Sequence, residues 1–184
     1  MISNDATDRP SLGGQPGVTK VRMANGGGRG RRGKNDEIIA ESIRFGPLEH
    51  WVGFNLRMAQ ESAFQAFSRR SQEIGEGPGR FATLMIIARN PGISQTELSH
   101  ANGRDKSSLT PVVEDLVRRG LVERRRMRQD RRTYRLNLTP SGKKTLTNLT
   151  RCARRHERVL DGIIGQRDRR RFIQILKRLA AEIE

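Results

Sequence analysis

Apolar side chains recur every three or four residues over four stretches of the chain, a spacing typical of helices with one buried face. These stretches run over residues 48–69, 81–90, 140–164 and 172–183. Gly165 separates the last two, and a Thr-Pro pair precedes the third as an N-cap and first helical residue. The pattern predicts a mainly helical protein.

Two shorter helices are predicted between residues 94 and 119. Ser94 and Glu97 have the spacing of a capping box, in which each side chain bonds the other's backbone amide. The second helix, over residues 106–119, has a polar start followed by an apolar stripe. Gly120 should end it in a left-handed conformation, with Leu121 returning to contact Leu116.

A hairpin follows these helices. Residues 121–127 favour one strand, residues 128–130 a turn, and the alternation of Tyr134, Leu136 and Leu138 a second strand. Two helices and a hairpin in this order predict a winged helix-turn-helix domain with its wing over residues 123–135. The fold class is therefore mainly α with a small β-hairpin wing, and helices at both ends.

Four runs in this region form a recognisable set: residues 105–111 (DKSSLTP), 115–124 (DLVRRGLVER), 130–132 (DRR) and 136–142 (LNLTPSG). Together they resemble the corresponding runs of MarR-family transcriptional regulators. The resemblance covers about residues 45–184, because helix, wing and following helix occur in order at matching spacing. It implies a homodimer of interlocked terminal helices, with two reading helices about one DNA turn apart on an imperfectly palindromic operator.

The start of the second helix is predicted to face the major groove of double-stranded DNA. Its hydroxyl and ammonium groups can bond phosphates or base edges, and a proline ring or threonine methyl can pack on thymine. The predicted contacts from the two helices are Ser94, Gln95, Lys106, Ser107, Ser108, Thr110 and Pro111.

The arginine-rich wing is predicted to reach the minor groove, whose negative potential favours arginine where the groove is narrow. Arg124 and Arg126 should share one face of their strand because side chains alternate. The resemblance implies that Asp130 orients Arg132; otherwise Asp130 only forms the turn. The predicted wing contacts are Arg124, Arg126, Arg128, Asp130, Arg131 and Arg132.

Composition supports a polyanionic partner. The chain has 36 Lys and Arg against 20 Asp and Glu, a net charge of +16. Residues 104–135 carry eleven basic and five acidic side chains, and residues 143–184 carry twelve and five. Such runs are equally typical of solvated helix faces. The rival interpretation is a non-specific nucleic-acid-coating or RNA-associated protein, which would not require a complete set of reading helices and wing.

Residues 1–36 contain few large apolar groups and are predicted to be a disordered, basic Gly/Arg-rich tail. A G-x-G-x-x-G match at residues 28–33 lacks the preceding strand of a dinucleotide site. These residues are better explained as part of a basic tail, with or without an accessory contact to phosphate. Residues 37–184 then form one DNA-binding and dimerisation domain, with the reader at about 80–142 and dimerisation helices at about 45–70 and 143–184.

Catalytic and metal chemistry find little support. The three histidines, His50, His100 and His156, are far apart, and no nucleophile elbow or P-loop occurs. Cys152 lies on an apolar stripe, where cysteine usually packs as a small hydrophobe. We expect no enzyme, no cofactor and no metal. Without a leader, a disulfide pair or an apolar run that could cross a membrane, the protein is expected to be cytoplasmic.

The first long helix mixes aromatic, apolar and polar groups. Core and dimer packing explain this mixture, and so does a ligand pocket. The resemblance implies that small aromatic acids, or their coenzyme A thioesters, bind between this helix and the reader and release DNA. The candidate effector contacts are Trp51, Phe54, Asn55, Arg57 and Met58.

Overall fold

The computed structural model describes residues 43–126 and 134–183. The chain divides into two units, residues 1–57 and 58–184. In the first, a 3₁₀ helix at Gly46–His50 precedes α1, which begins at Val52 and continues into the second unit to Arg70. The predicted unbroken helix from Leu48 is therefore wrong at its start. Trp51 interrupts it with an extended backbone (φ −84°, ψ 126°).

The second unit contains the other helices and strands. A 3₁₀ turn at Gln72–Ile74 follows α1 and precedes the remaining elements. In chain order these are α2 (Pro78–Arg89), β1 (Ile93–Ser94), α3 (Gln95–Ala101), α4 (Lys106–Arg118), β2 (Val122–Arg126), β3 (Tyr134–Leu138), α5 (Pro140–Ile164) and α6 (Gln166–Glu182). The predicted helix at 81–90 begins earlier, because Pro78 provides a first helical residue that needs no amide donor.

The sheet has three antiparallel strands in the order β1-β3-β2, not the two predicted. The hairpin itself is confirmed, with Val122 paired to Leu138 and Arg126 to Tyr134. The additional strand pairs Ile93 with Leu136. It is only two residues long and adjoins the capping box, so it has no alternation that the sequence could reveal.

Apolar side chains from α2 to α5 and the sheet form one core. Burying a leucine completely stabilises a fold by about 2 kcal/mol, so these contacts dominate the domain's stability. The core residues are Leu84, Ile87, Leu98, Leu109, Val113, Leu116, Leu121, Val122, Leu136 and Leu149.

The turn after α4 confirms the predicted helix end. Gly120 has φ +67°, and the Leu121 amide donates to the Leu116 carbonyl at 2.9 Å. Helix α5 then approaches this turn closely, with the Thr139 hydroxyl donating to the Gly120 carbonyl at 2.6 Å. A Cβ on Gly142 would lie 2.0 Å from the Leu121 carbonyl oxygen, so only glycine fits there.

The end of the described chain has an uncovered apolar face. Gly165 (φ +82°) separates α5 from α6, as predicted. Helix α6 has no buried residue, and Phe172, Ile175 and Ile183 are exposed. Among the helices of the described ranges, none combines the length and apolar character needed to span a membrane.

Candidate nucleic-acid interface

The capping box predicted at the start of α3 is present. The Glu97 amide donates to Ser94 Oγ at 3.2 Å, and the Ser94 amide donates to Glu97 Oε2 at 2.7 Å. Hydrogen bonding from Ser94 to the carboxylate, above all from its backbone amide, lowers the pKa of Glu97 below its ordinary value. Ser94, a predicted DNA contact, is thus first of all the residue that fixes where α3 begins.

Arg135 joins the base of the wing to this cap. Its Nη1 donates to Glu97 Oε2 and to the Gly92 carbonyl, each at 3.2 Å. The pairing of β1 with β3 places Arg135 opposite Ser94. Sequence reasoning missed this contact because it follows from the unpredicted strand β1.

A hydrogen-bond chain connects the two helices of the reader. Gln95 Nε2 donates to Thr110 Oγ1 at 2.7 Å, and Thr110 Oγ1 donates to the Lys106 carbonyl at 2.7 Å. Two predicted DNA contacts, Gln95 and Thr110, therefore contact each other. Their shared bond sets the position of α4 relative to α3.

Asp105 caps the reading helix α4. Its Oδ1 accepts from the Ser108 amide at 2.8 Å and from Ser107 Oγ at 2.5 Å, and its Oδ2 accepts from Ser108 Oγ at 3.0 Å. Hydrogen bonds from Ser107 and then Ser108 lower the pKa of Asp105 to about 2. Asp105 was not among the predicted site residues, although an Asp three residues before Ser108 has the spacing of an N-cap.

The structure brings the predicted α4 residues together at one exposed helix end. Lys106, Ser107, Ser108 and Pro111 are exposed, and Thr110 is half-buried beside α3. Four helix amides and the positive end of the helix dipole lie at this end, a combination that favours phosphate oxygens. Pro111 lies inside α4 near its start, as expected from the sequence.

Two arginines of β2 flank the wing tyrosine. The guanidinium of Arg126 lies 5.4 Å from the centre of the Tyr134 ring, and that of Arg124 lies 5.9 Å from it. Arg126 Nη2 also donates to the tyrosine oxygen at 2.9 Å. The predicted common face of Arg124 and Arg126 is confirmed. The other predicted wing residues, Arg128, Asp130, Arg131 and Arg132, lie outside the described residues.

A buried ion-pair network holds the far end of α4. Glu76 Oε1 lies 2.7 Å from Arg119 Nη2, and Arg80 Nη2 lies 2.8 Å from Asp115 Oδ2. Burial raises the pKa of Glu76, and Arg119 and Arg80 oppose this shift. Sequence reasoning missed the network, since its members meet only in the folded chain.

The candidate effector residues lie near the start of α1. In the first unit, Asn55 Nδ2 donates to the carbonyls of Glu49 and Trp51, both at 2.9 Å, and so bridges the 3₁₀ helix and α1. The Arg57 guanidinium lies 5.5 Å from the centre of the Phe54 ring. Trp51 is 59% exposed. Met58 is the next residue along α1, in the second unit.

A capped reading helix packed on a second helix, followed by a basic hairpin, defines a winged helix-turn-helix DNA-binding protein. The sequence profile of the MarR family matches residues 78–134. Over 152 residues the chain is 34% identical to a candidate transcriptional regulatory protein for the hcr operon of Thauera aromatica, covering 82% of this chain and 92% of the relative. The chain belongs to the MarR family, and it is a DNA-binding transcriptional regulator.

Solved structures agree with this assignment. The transcriptional repressor CouR bound to a 23-mer DNA duplex has a TM-score of 0.70 at 30% identity, over 75% of this chain and 98% of CouR. CouR bound to p-coumaroyl-CoA has a TM-score of 0.71 at 28% identity, over 77% of this chain and 99% of CouR. PcaV of Streptomyces coelicolor in complex with its natural ligand has a TM-score of 0.70 at 25% identity, over 77% of this chain and 100% of PcaV.

These relatives decide between the two classes left open by the sequence. A coating or RNA-associated protein needs only distributed positive charge, whereas this chain shares its family and most of its length with transcriptional regulators. The chain is therefore grouped with the transcriptional regulators rather than with coating proteins.

Proposed function

We propose that the protein is a homodimeric repressor that reads an imperfect palindrome with α4 and the wing, and releases it on binding an aromatic acid or its coenzyme A thioester. One observation carries the DNA-reading part. The exposed start of α4 presents Lys106, Ser107, Ser108 and Pro111 on a helix fixed at both ends, by the Asp105 cap and by the Glu76 network. A fixed helix can discriminate bases because its side chains need no reordering on contact.

The uncovered face of α6 supports the dimer. Exposed Phe172 and Ile175 lie on a helix without any buried residue, exposed Ile183 follows directly after it, and large apolar patches on a soluble protein usually mark an interface. A two-fold dimer would place two copies of α4 about one DNA turn apart. Sedimentation of Ile175→Glu should show monomers, whereas Lys177→Glu on the same helix should stay dimeric. A dimeric Ile175→Glu variant would assign dimerisation to another surface.

The first unit supports an aromatic effector. Trp51 is exposed, and Arg57 stacks over Phe54, so an aromatic ring and a cation are available together near the start of α1. CouR binds p-coumaroyl-CoA in its solved structure, and that repressor is similar to this chain over most of its length. A ligand with an aromatic ring and a negative charge, either a carboxylate or the phosphates of a coenzyme A thioester, would suit the aromatic side chains and Arg57.

The effector test uses the single tryptophan. Binding near α1 is measured from the fluorescence of Trp51 during titration. The compounds are p-coumaric acid, p-coumaroyl-CoA and coenzyme A alone. Parallel gel shifts on the operator should show weaker DNA binding, by a coupling of about 1 to 3 kcal/mol. Trp51→Phe should lose the fluorescence signal and is the blank for this titration. If neither aromatic compound changes the fluorescence or the gel shift, this effector class is excluded.

The operator itself is identified by selection and footprinting. Duplexes selected from a random pool should contain two related half-sites about one helical turn apart, and they should resist a large excess of random DNA. Binding that disappears under this competition would contradict sequence-specific reading.

A further inference from the structure

Three hydroxyl groups at the start of α4 have already donated their protons within the protein. Ser107 donates to the Asp105 carboxylate at 2.5 Å, and Thr110 donates to the Lys106 carbonyl at 2.7 Å. The Ser108 hydroxyl has two acceptors on Asp105, a carboxylate oxygen at 3.0 Å and the backbone carbonyl at 3.1 Å. A hydroxyl has one proton to donate and two lone pairs that accept. Each of these side chains can therefore only accept a further hydrogen bond.

Thr110 is also limited as an acceptor. Its oxygen already accepts from Gln95 Nε2 at 2.7 Å, and the side chain is half-buried beside α3. Ser107 and Ser108 are exposed, and neither hydroxyl oxygen accepts a hydrogen bond from the part of the chain that the structure describes. The two serines are thus the acceptors that α4 can offer to DNA.

We propose that Asp105 sets the base preference of the reading helix by holding Ser107 and Ser108 as hydrogen-bond acceptors. In the major groove, the groups that donate are the N6 amino group of adenine and the N4 amino group of cytosine. The bases facing the two serines should therefore be adenine or cytosine. This inference rests on the proposed reading of DNA by α4.

The carboxylate also disfavours the alternative role of these serines as phosphate contacts. A serine must donate its proton to bind a phosphate oxygen, and these protons are already donated to Asp105, an ionised acceptor like phosphate, so the exchange would gain little. The negative charge of Asp105, which both serines contact, repels phosphate in addition. Phosphate binding at this end is left to Lys106 and the free helix amides.

Asp105→Gly removes the carboxylate and keeps the start of the helix, because glycine is tolerated at an N-cap with little loss. Ser107 then loses the acceptor of its proton, whereas Ser108 can still donate to the backbone carbonyl of residue 105, 3.1 Å away. The released Ser107 proton can bind guanine O6 or N7, or thymine O4. Selection from random duplexes should show guanine or thymine accepted at the formerly adenine or cytosine position that faces Ser107, with about a tenfold change in relative preference.

Serine variants and altered bases test the same contacts from both sides. Ser107→Ala and Ser108→Ala should each lose discrimination at one position, by about three- to tenfold, since one net hydrogen bond is worth this much. Replacing adenine there by purine, which lacks the N6 group, should weaken the wild type equally and leave the matching alanine variant unaffected. Lys106→Ala is the control: it should weaken binding to all sequences alike and reduce the salt dependence.

The outcomes separate this inference from the proposed function. Thermal unfolding of each variant confirms that it folds. If Asp105→Gly retains the wild-type base preference, or if the serine positions select guanine or thymine in the wild type, the proton-holding role is wrong. If no substitution in α4 changes either affinity or preference while a footprint persists, another part of the chain reads the operator, and the proposed function fails at that point.

Discussion

Glu76 Oε1 lies 2.7 Å from Arg119 Nη2 and joins the segment before α2 to the residue that ends the reading helix. The Glu76 side chain is fully buried, whereas that of Arg119 is 37% exposed. The Glu76 carbonyl also accepts from the buried Ser71 hydroxyl at 2.6 Å. The end of α1, the start of α2 and the end of α4 therefore meet at one residue, Glu76.

Glu76→Ala should destabilise the fold by about 2 to 4 kcal/mol, because it removes a buried carboxylate and leaves Asp115 to balance both Arg80 and Arg119. The lower part of this range reflects the partial exposure of Arg119, which lets water compensate. Urea unfolding measures the change. Arg178→Ala removes the exposed pair with Glu182 and is the control, with no measurable loss expected. Equal stability of the two variants would contradict a structural role for Glu76.

Gly142→Ala should destabilise the protein by about 1 to 3 kcal/mol, since the added methyl group would overlap the Leu121 carbonyl oxygen and force α5 from the turn. Gly162→Ala is a matched control in the same helix, because its Cβ meets nothing within 4 Å. That change should stabilise by about 0.5 to 1 kcal/mol, the ordinary helix preference of alanine. Thermal unfolding of both variants gives the comparison, and a neutral Gly142→Ala would refute the close packing.

His156 should make the protein less stable as the pH falls from about 7 to 5. Burial, together with the nearby Arg70, lowers the pKa of His156 below its ordinary value of 6.5. Below pH 6.5 the unfolded chain binds a proton at this position more readily than the folded chain, so the free energy of unfolding decreases. The loss stops once the pH passes below the folded-state pKa.

Urea unfolding of wild type and His156→Gln at a series of pH values measures this contribution. The variant should lose less stability over this range than the wild type. His100→Gln, which changes an exposed histidine, should follow the wild-type profile. Identical profiles for all three proteins would mean that His156 titrates alike in the folded and unfolded chains.

Arg132→Ala should weaken operator binding by about 1 to 3 kcal/mol and leave dimerisation unchanged, if the arginine reaches the minor groove or a phosphate. Arg132 lies outside the described residues, so this prediction depends on the sequence and the family motif. Fluorescence anisotropy at physiological salt measures the affinity. Arg170→Ala, on α6, is the control for loss of a single positive charge. If the Arg132→Ala variant binds the operator as tightly as the wild type does, Arg132 does not contribute to the DNA interface.

Deletion of residues 1–36 should leave folding cooperative, because this segment has few apolar groups to bury. It contains seven basic and three acidic side chains, so the salt dependence of DNA binding should become slightly shallower. Loss of a cooperative thermal transition after deletion would show that the segment is structural.

Local patterns in the sequence were enough to predict most of the helices and the hairpin. The Ser94 capping box, the Gly120 helix end and the Gly165 break are each encoded within a few residues, and the structure confirms all three. The prediction failed where the residues nearby in the sequence do not determine the local structure. Trp51 interrupts a helical spacing of apolar residues, and β1 exists only because Ile93 pairs with Leu136, 43 positions away.

The sequence alone determined the family, the reading helix and the residue types at its start, because these are written as contiguous motifs. Tertiary structure decided what those residues do. Gln95 contacts Thr110 across two helices, Arg135 reaches Glu97 from the wing, and Glu76 holds Arg119 in the interior. Each contact joins residues separated along the chain, and its strength depends on burial and distance, which only the folded protein defines.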